Sequence, residues 1–137
     1  MYNDKLAKYY DDLYLDKDYT KEAEYIANVA DRRNVLLDVG CGTMTHTILL
    51  ASKFKQVFAV DLSKPMVDVG VSKLKERSLS NVSGLCCDVA DLRMDEQADC
   101  AMSMFNVVNH IETILGLQGF FKAINSQLKP NARFVFD

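Results

Sequence analysis

A chain of 137 residues, 49% apolar and 26% charged, is long enough to bury a core as one domain. Its formal charge of -3, with no Lys/Arg run, argues against nucleic acid as an electrostatic partner. No apolar run reaches membrane-spanning length, and Met1 to Asp18 is rich in Tyr, Asp and Lys, unlike a signal peptide, so no membrane partner is expected. The four cysteines (Cys41, Cys86, Cys87 and Cys100) show no C-x-x-C pairing. They read as reduced cytoplasmic thiols, three of them in predicted buried strands or a loop, with neither a metal site nor a disulfide framework.

In chain order, residues 5–14 are rich in Tyr and Asp, and Ala23, Ile26, Ala27 and Ala30 then recur at the spacing of an amphipathic helix over 21–30. The apolar run from Val35 predicts a first strand over 35–39, followed by a crossover helix over 45–54. A second strand is predicted over 56–61. Ser63 and Pro65 then mark a helix start, with Met66, Val67, Val69, Val71 and Leu74 along it. A third strand over 82–87 ends at Asp88, and a fourth over 98–104 runs into Phe105 and Asn106. Leu115, Leu117, Phe120, Phe121, Ile124 and Leu128 predict a helix over 114–128, and Pro130-Asn131 turns the chain into a last strand over 133–136. Strands alternating with helices predict an α/β fold, a Rossmann-like doubly wound parallel sheet with helices on both faces. In such sheets a ligand lies beyond the carboxyl ends of the strands, where Asp38, Asp61, Asp88 and Asn106 all fall.

The centre of the pattern is Val35-Leu36-Leu37-Asp38-Val39-Gly40-Cys41-Gly42-Thr43-Met44: strand, tight loop, helix. Gly40 and Gly42 suit a loop whose backbone approaches a ligand with no Cβ in between. Asp38 points a negative charge at the same spot, which repels a phosphate and holds a cation. The loop therefore suits a ligand bearing an ammonium and a sulfonium. A dinucleotide loop would want G-x-G-x-x-G, with Thr45 here at the last position, and no Gly-Lys-Ser/Thr of a Walker loop follows. Asp61, 23 residues after Asp38, is placed to accept ribose hydroxyls; the alternative is a charge complementing a helix start, with Ser63 capping. Asp88 could accept from an adenine amine or stand as a solvated loop carboxylate.

These motifs resemble those of the class I S-adenosylmethionine-dependent methyltransferases. Asp38-Val39-Gly40-Cys41-Gly42-Thr43 resembles the family's first motif, and Asp61-Leu62-Ser63 with Pro65-Met66 the segment that follows it. Cys87-Asp88-Val89 resembles the adenine-contacting end, and Met104-Phe105-Asn106-Val107-Val108-Asn109-His110 the fourth-strand motif beside the reacting centre. Tyr9-Tyr10-Asp11-Asp12-Leu13-Tyr14 with Asp18-Tyr19 is similar to the branch that N-methylates amino sugars, and to related small-molecule methyltransferases. The resemblance implies sheet order 3-2-1-4-5 and one domain over 1–137, with a helical lid over 1–30 and a core over 34–137 lacking the usual last strands. It implies S-adenosyl-L-methionine held by Asp38, Gly40, Cys41, Gly42, Asp61, Leu62, Met66, Asp88, Val89 and Phe105, with Tyr10, Tyr14 and Tyr19 either closing over it or simply docking the N-terminal helix on the sheet. Transfer would go to a small-molecule acceptor, an amine, with His110 as base or merely the start of the next helix. His46 reads as packing or surface. The rival reading is a fold that binds the nucleoside without catalysis.

Two departures from the family carry expectations. Met44 stands where a third glycine is usual, and must be housed by a displaced loop or helix or lie over the ligand, weakening cofactor binding. The chain stops at Asp137, so Phe134-Val135-Phe136 is expected to form an exposed apolar edge. A truncated product, or a homodimer through that strand-5 edge, is the expectation drawn from it.

Overall fold

The computed structural model describes residues 3–137. Two helices, α1 (Asp4–Leu13) and α2 (Tyr19–Val29), precede β1 (Val35–Val39), α3 (Thr45–Leu50), β2 (Gln56–Asp61), α4 (Lys64–Glu76) and β3 (Val82–Cys86). A 3-10 turn at Val89–Asp91, β4 (Ala98–Ser103), a second 3-10 turn at Val108–His110, α5 (Ile114–Gln127) and β5 (Leu128–Phe136) complete the chain. The sheet has the expected order β3-β2-β1-β4-β5, and every pairing is parallel. The sequence therefore reverses direction between β1 and β4, the place where a doubly wound sheet leaves a crevice.

Both faces of the sheet are covered, which is why β1 and β4 are buried along their whole length. On one face Leu36, Val57, Cys100 and Met102 pack against Ala23, Ile26 and Ala27 of α2 and Leu50 of α3. On the other, Leu37, Val60 and Ala101 pack against Val89, Leu92 and Ile124 of α5. Alternate residues of β1 thus serve opposite layers, as the period of two in a strand requires. α2 starts where Asp18 accepts from the Lys21 amide at 3.0 Å, two residues ahead of the predicted start.

Three boundaries differ from expectation for identifiable reasons. α3 ends at Leu50, four residues early, because Asn81 Nδ2 donates to the freed carbonyls of Ala51 (2.7 Å) and Phe54 (3.1 Å) while Phe54 drops into the core. β5 begins at Leu128 rather than 133. Between Ala98↔Leu128 and Cys100↔Arg133 it spends extra residues on an irregularity that holds Pro130 and the left-handed Asn131 (φ +65°). An edge strand tolerates that proline, since its missing N–H faces no neighbour. β3 is the other edge, so Leu85 and Cys86 are exposed rather than buried as expected. At the β5 edge Phe134 and Val135 are half-buried, and Phe134 and Phe136 stack with Phe121 at ring separations of 5.7 and 5.3 Å; only Phe136 is exposed.

Met44 does not line the ligand crevice. It adopts a left-handed conformation (φ +65°) and buries its side chain completely between α4 and β3, beside Ala59, Val67 and Leu74. Two glycines make the room. A Cβ at Gly70 would come within 2.6 Å of Met44 Cγ, and one at Gly84 within 2.4 Å of Met44 Cε. The bulk of Met44 is thus housed by the absence of a Cβ on the two elements facing it. Gly70→Ala is therefore expected to lower stability by about 1–3 kcal/mol through overpacking, against roughly 1 kcal/mol gained from helix propensity. Met44→Gly alone should cost about 2–4 kcal/mol as a cavity. In that background Gly70→Ala should become neutral or stabilising, and a denaturant double-mutant cycle reads the coupling.

Candidate functional site

A cavity of about 880 Å³ opens at the carboxyl ends of β1, β2 and β4. Its floor is the loop after β1. The amides of Gly40 and Cys41 both donate to the carbonyl of Val60, at 2.8 and 3.0 Å, bending the chain over the end of β2. Gly40 (φ +75°) cannot carry a side chain: a Cβ would stand 2.5 Å from Val107 Cγ2 in the loop after β4. Gly42 (φ +53°) faces Met66, whose Cε would be 3.3 Å from such a Cβ. The backbone is thus exposed to the cavity where glycine alone fits.

Asp38 lies beneath this loop, 3% exposed, and among the described residues only Thr47 hydrogen-bonds it, Oγ1 donating to Oδ2 at 2.5 Å. Burial pushes its carboxyl up to about 7; the Thr47 bond pulls it down and the charge of Asp61 adds to the rise. Burial, with Asp38 and Asp61 nearby, also holds the Cys41 thiol well above its usual range, so it is an inert wall rather than a nucleophile. Asp61 clamps the loop to the next helix. Its Oδ2 accepts from the Gly42 amide and its Oδ1 from the Ser63 amide, both at 2.8 Å. Each oxygen keeps a lone pair for a hydroxyl on the cavity side. The helix-start alternative is thus met by the same side chain, while Ser63 occupies the N-cap position without a side-chain capping bond.

Asp88 is exposed and lines the cavity while its Oδ1 accepts from the Ala90 amide at 2.9 Å, starting the 3-10 turn. Leu62, Met66 and Val89 supply apolar wall beside it. Phe105 (φ +70°) and Asn106 (φ +62°) are consecutive left-handed residues, a strained pair that presents the Phe105 ring to the cavity. Tyr14 packs on that ring edge-to-face at 4.7 Å, and the Lys17 ammonium sits 4.5 Å from its centroid. Tyr14 is therefore a brace behind Phe105 and not part of the lining, whereas Tyr10, Tyr19 and Leu6 do line it. Asn106, grouped with the strand-end carboxylates by sequence, does not; its side chain accepts from Asn109 Nδ2 at 3.0 Å. His110 is exposed at the rim, next to Glu112.

Four side chains that carried no site role in the sequence, Asp11, Thr43, Thr45 and Lys73, hold the loop in place, and His46, read there as packing or surface, lines the cavity. Thr43 and Thr45 tie the loop to α1 through Asp11, which accepts from Thr43 Oγ1 at 2.5 Å and from Lys73 of α4 at 2.7 Å. Burial works to raise the Asp11 carboxyl, but the Lys73 and Thr43 bonds prevail and hold it low. His46 is buried, lines the cavity and pairs with Glu22 of α2 at 2.6 Å. The available signal for His46 was its place one turn after the glycine loop.

The residues present fit a ligand with an ammonium and a nucleoside. The glycine cradle, the buried Asp38 with one hydroxyl partner and the half-used oxygens of Asp61 all ask for donors, and no Lys or Arg is among the described lining residues. No group of three or more His, Cys, Asp or Glu arranged to hold a metal ion occurs among the described residues. Nor, among them, is any helix long and apolar enough to cross a membrane.

Because the Asp38 carboxyl is raised in the folded state, that state binds more protons than the unfolded chain between about pH 4 and 7. Its contribution is fully present below pH 4 and is lost as pH rises to 7 and beyond. Asp38→Asn, which keeps an acceptor for Thr47, should therefore stabilise the fold at pH 8 by about 2 kcal/mol or more and flatten the loss of stability between pH 4 and 7, read by thermal unfolding. Asp11→Ala should speed hydrogen exchange in α1 by roughly tenfold or more while leaving β1 and β4 protected.

Comparison with known proteins places this geometry. A profile of the family described as Methyltransferase domain matches residues 36–131. A dTDP-3-amino-3,4,6-trideoxy-alpha-D-glucopyranose N,N-dimethyltransferase of Streptomyces venezuelae is 29% identical over 143 residues, covering 100% of this chain and 58% of that protein. A crystal structure of an S-adenosylmethionine-dependent methyltransferase from Clostridium acetobutylicum superposes with TM-score 0.80 at 30% identity, over 96% of this chain and 55% of the other. The sugar N-methyltransferase KedS8 from Streptoalloteichus sp. ATCC 53650 gives TM-score 0.81 at 26% identity, over 100% and 56%. The chain thus spans about half the length of the proteins it matches. By motif, sheet order and these likenesses together, the chain belongs to the class I S-adenosylmethionine-dependent methyltransferases, near the sugar N-methyltransferase branch.

Proposed function

We propose that this chain forms the cofactor-binding part of an enzyme that methylates a small-molecule amine. The observation that carries the reading is the convergence of Asp38, Asp61 and Asp88 on one cavity floored by a glycine loop, with no Lys or Arg among its described lining. When bound, S-adenosyl-L-methionine supplies a methyl activated by its sulfonium. The chain's own residues bind and position. Asp38 holds the ligand's ammonium, which draws its carboxyl back into the charged form. Asp61 accepts ribose hydroxyls while its other lone pairs keep the loop and α4 in place. Asp88 accepts from the adenine amine between the apolar walls of Leu62, Met66 and Val89.

The lid, α1 and α2 over the core, covers the cavity through Leu6, Tyr10 and Tyr19 and keeps water from it. Phe105, braced by Tyr14, shapes the wall at the reacting end, and the cavity continues past Ile111, Glu112 and Phe120. An acidic rim there favours an amine, which arrives as an ammonium and must lose a proton before it attacks; His110 stands at that rim to take it. The named sugar N-methyltransferase relatives support the same acceptor class. Four unpaired cysteines accord with a cytoplasmic setting, and the half-open β5 edge with self-association there.

Titration calorimetry with S-adenosylmethionine and S-adenosylhomocysteine should detect one site per chain. Asp61→Ala should weaken both by roughly 10- to 100-fold, the cost of a lost charge-assisted pair. Methyl transfer to a panel of primary and secondary amines, read by mass, tests the acceptor. Absence of any nucleoside binding would overturn the reading.

A further inference from the structure

The cavity presents four carboxylates, Asp38, Asp61, Asp88 and Glu112, and among its described lining residues no Lys or Arg. A ligand whose ammonium rests at Asp38 carries a carboxylate on the same carbon, so an anion must be accommodated beside Asp38 with no permanent cation among the described lining residues to receive it; Lys17, behind the Tyr19 and Phe105 rings, is paired with Glu22. The lining groups that can become cationic are His46 and His110. His110 is exposed at the open rim beside Glu112, on the 3-10 turn after β4. His46 is one residue from Thr47, the partner of Asp38, and is buried against the lid.

The ring of His46 is held on two sides. Nε2 pairs with Glu22 Oε2 at 2.6 Å, and the ring meets Tyr19 edge-to-face at 4.8 Å. Nδ1 has no hydrogen-bond partner among the described residues, and no buried side-chain nitrogen or oxygen there is left unsatisfied, so Nδ1 reaches the open space that the ring borders. With Nε2–H donating to Glu22, the neutral ring offers a lone pair at Nδ1, which no carboxylate can accept from. We infer that His46 is the residue that binds the carboxylate at the amino-acid end of the ligand, taking up a proton at Nδ1 as it does so and sharing its charge with Glu22 on the other side. The inference rests on the cofactor reading above and adds to it a residue that the glycine-loop motif does not include.

The groups that face His46 are Glu22 and Tyr19 on α2, Lys17 between α1 and α2, and Asp137 after β5; Asp11 of α1 faces Tyr19. Burial keeps the free imidazole below its usual range, Glu22 opposing and Lys17 reinforcing the effect. The ring is therefore neutral at pH 7.5, and an arriving second carboxylate supplies the charge that holds the proton. Glu22 is itself pinned: burial would raise it, but its bonds to Lys17 and His46 hold it in the anionic form.

S-adenosylhomocysteine and 5′-methylthioadenosine share the nucleoside, but only the first has an amino-acid end. Calorimetry with both, at pH 7.5 in buffers of different ionisation enthalpy, tests the assignment on wild type and His46→Ala. S-adenosylhomocysteine should lose roughly 10- to 100-fold in affinity in the variant, and methylthioadenosine less than about twofold. Wild type should take up about one proton more than the variant on binding S-adenosylhomocysteine; the difference is the readout, because Asp38 releases a proton when it meets the ammonium. Unchanged affinity and proton count, or equal loss for both ligands, would overturn the assignment. Failure of both nucleosides to bind wild type would overturn the cofactor reading itself, a different result from either.

Discussion

A carboxylate buried beneath an apolar sheet, with a single hydroxyl for company, holds an unsatisfied electrostatic demand. Asp38 is in that position, and the surroundings decline to meet the demand: Thr47 gives one hydrogen bond, Asp61 adds repulsion, and no lysine or arginine lines the space above. The free protein answers by holding the carboxyl near neutrality. In the reading proposed above, a cation from outside would restore the charge, and stability given up in the empty fold would be recovered as binding. Sites arranged for function commonly carry such a cost.

Around that group the loop is kept rigid by donors that are themselves part of the backbone. Asp61 ties Gly42 to Ser63, and Val60 receives the amides of Gly40 and Cys41, so the cradle is set before any ligand arrives. The N-terminal helices join the core by two polar anchors. One is Asp11 with Thr43 and Lys73; the other runs from Lys17 through Glu22 to His46. Both anchors end on the loop and the first turn of α3. The two N-terminal helices are therefore fastened to the glycine loop that floors the cavity and to the helix after it, and contacts on either side of the cavity share residues.

Met44 illustrates how a motif can break its own rule. A bulky residue in a left-handed loop position carries backbone strain on the order of 1–2 kcal/mol. Complete burial of the side chain among Ala59, Val67 and Leu74 offsets it, provided that α4 and β3 present no Cβ at Gly70 and Gly84. The side chain is packed between α4 and β3 and is not part of the cavity lining. Only the contacts of three separated segments reveal that these glycines answer the methionine.

Much of the architecture was written locally. Strands over 35–39 and 56–61 and the helix start at Ser63 follow from apolar runs and punctuation, Asp38, Asp61 and Asp88 from the rule that ligands gather at strand ends, and the sheet order from the family resemblance. What the sequence could not contain was direction across the fold. Tyr14 and Tyr19 look alike in a Tyr/Asp-rich stretch, yet one turns behind Phe105 and the other into the cavity. His46 reads as a helix residue until Glu22, 24 positions earlier, is brought to 2.6 Å of its ring. Periodicity fixes which residues share a face of one element; which element that face meets depends on packing between segments distant in the chain.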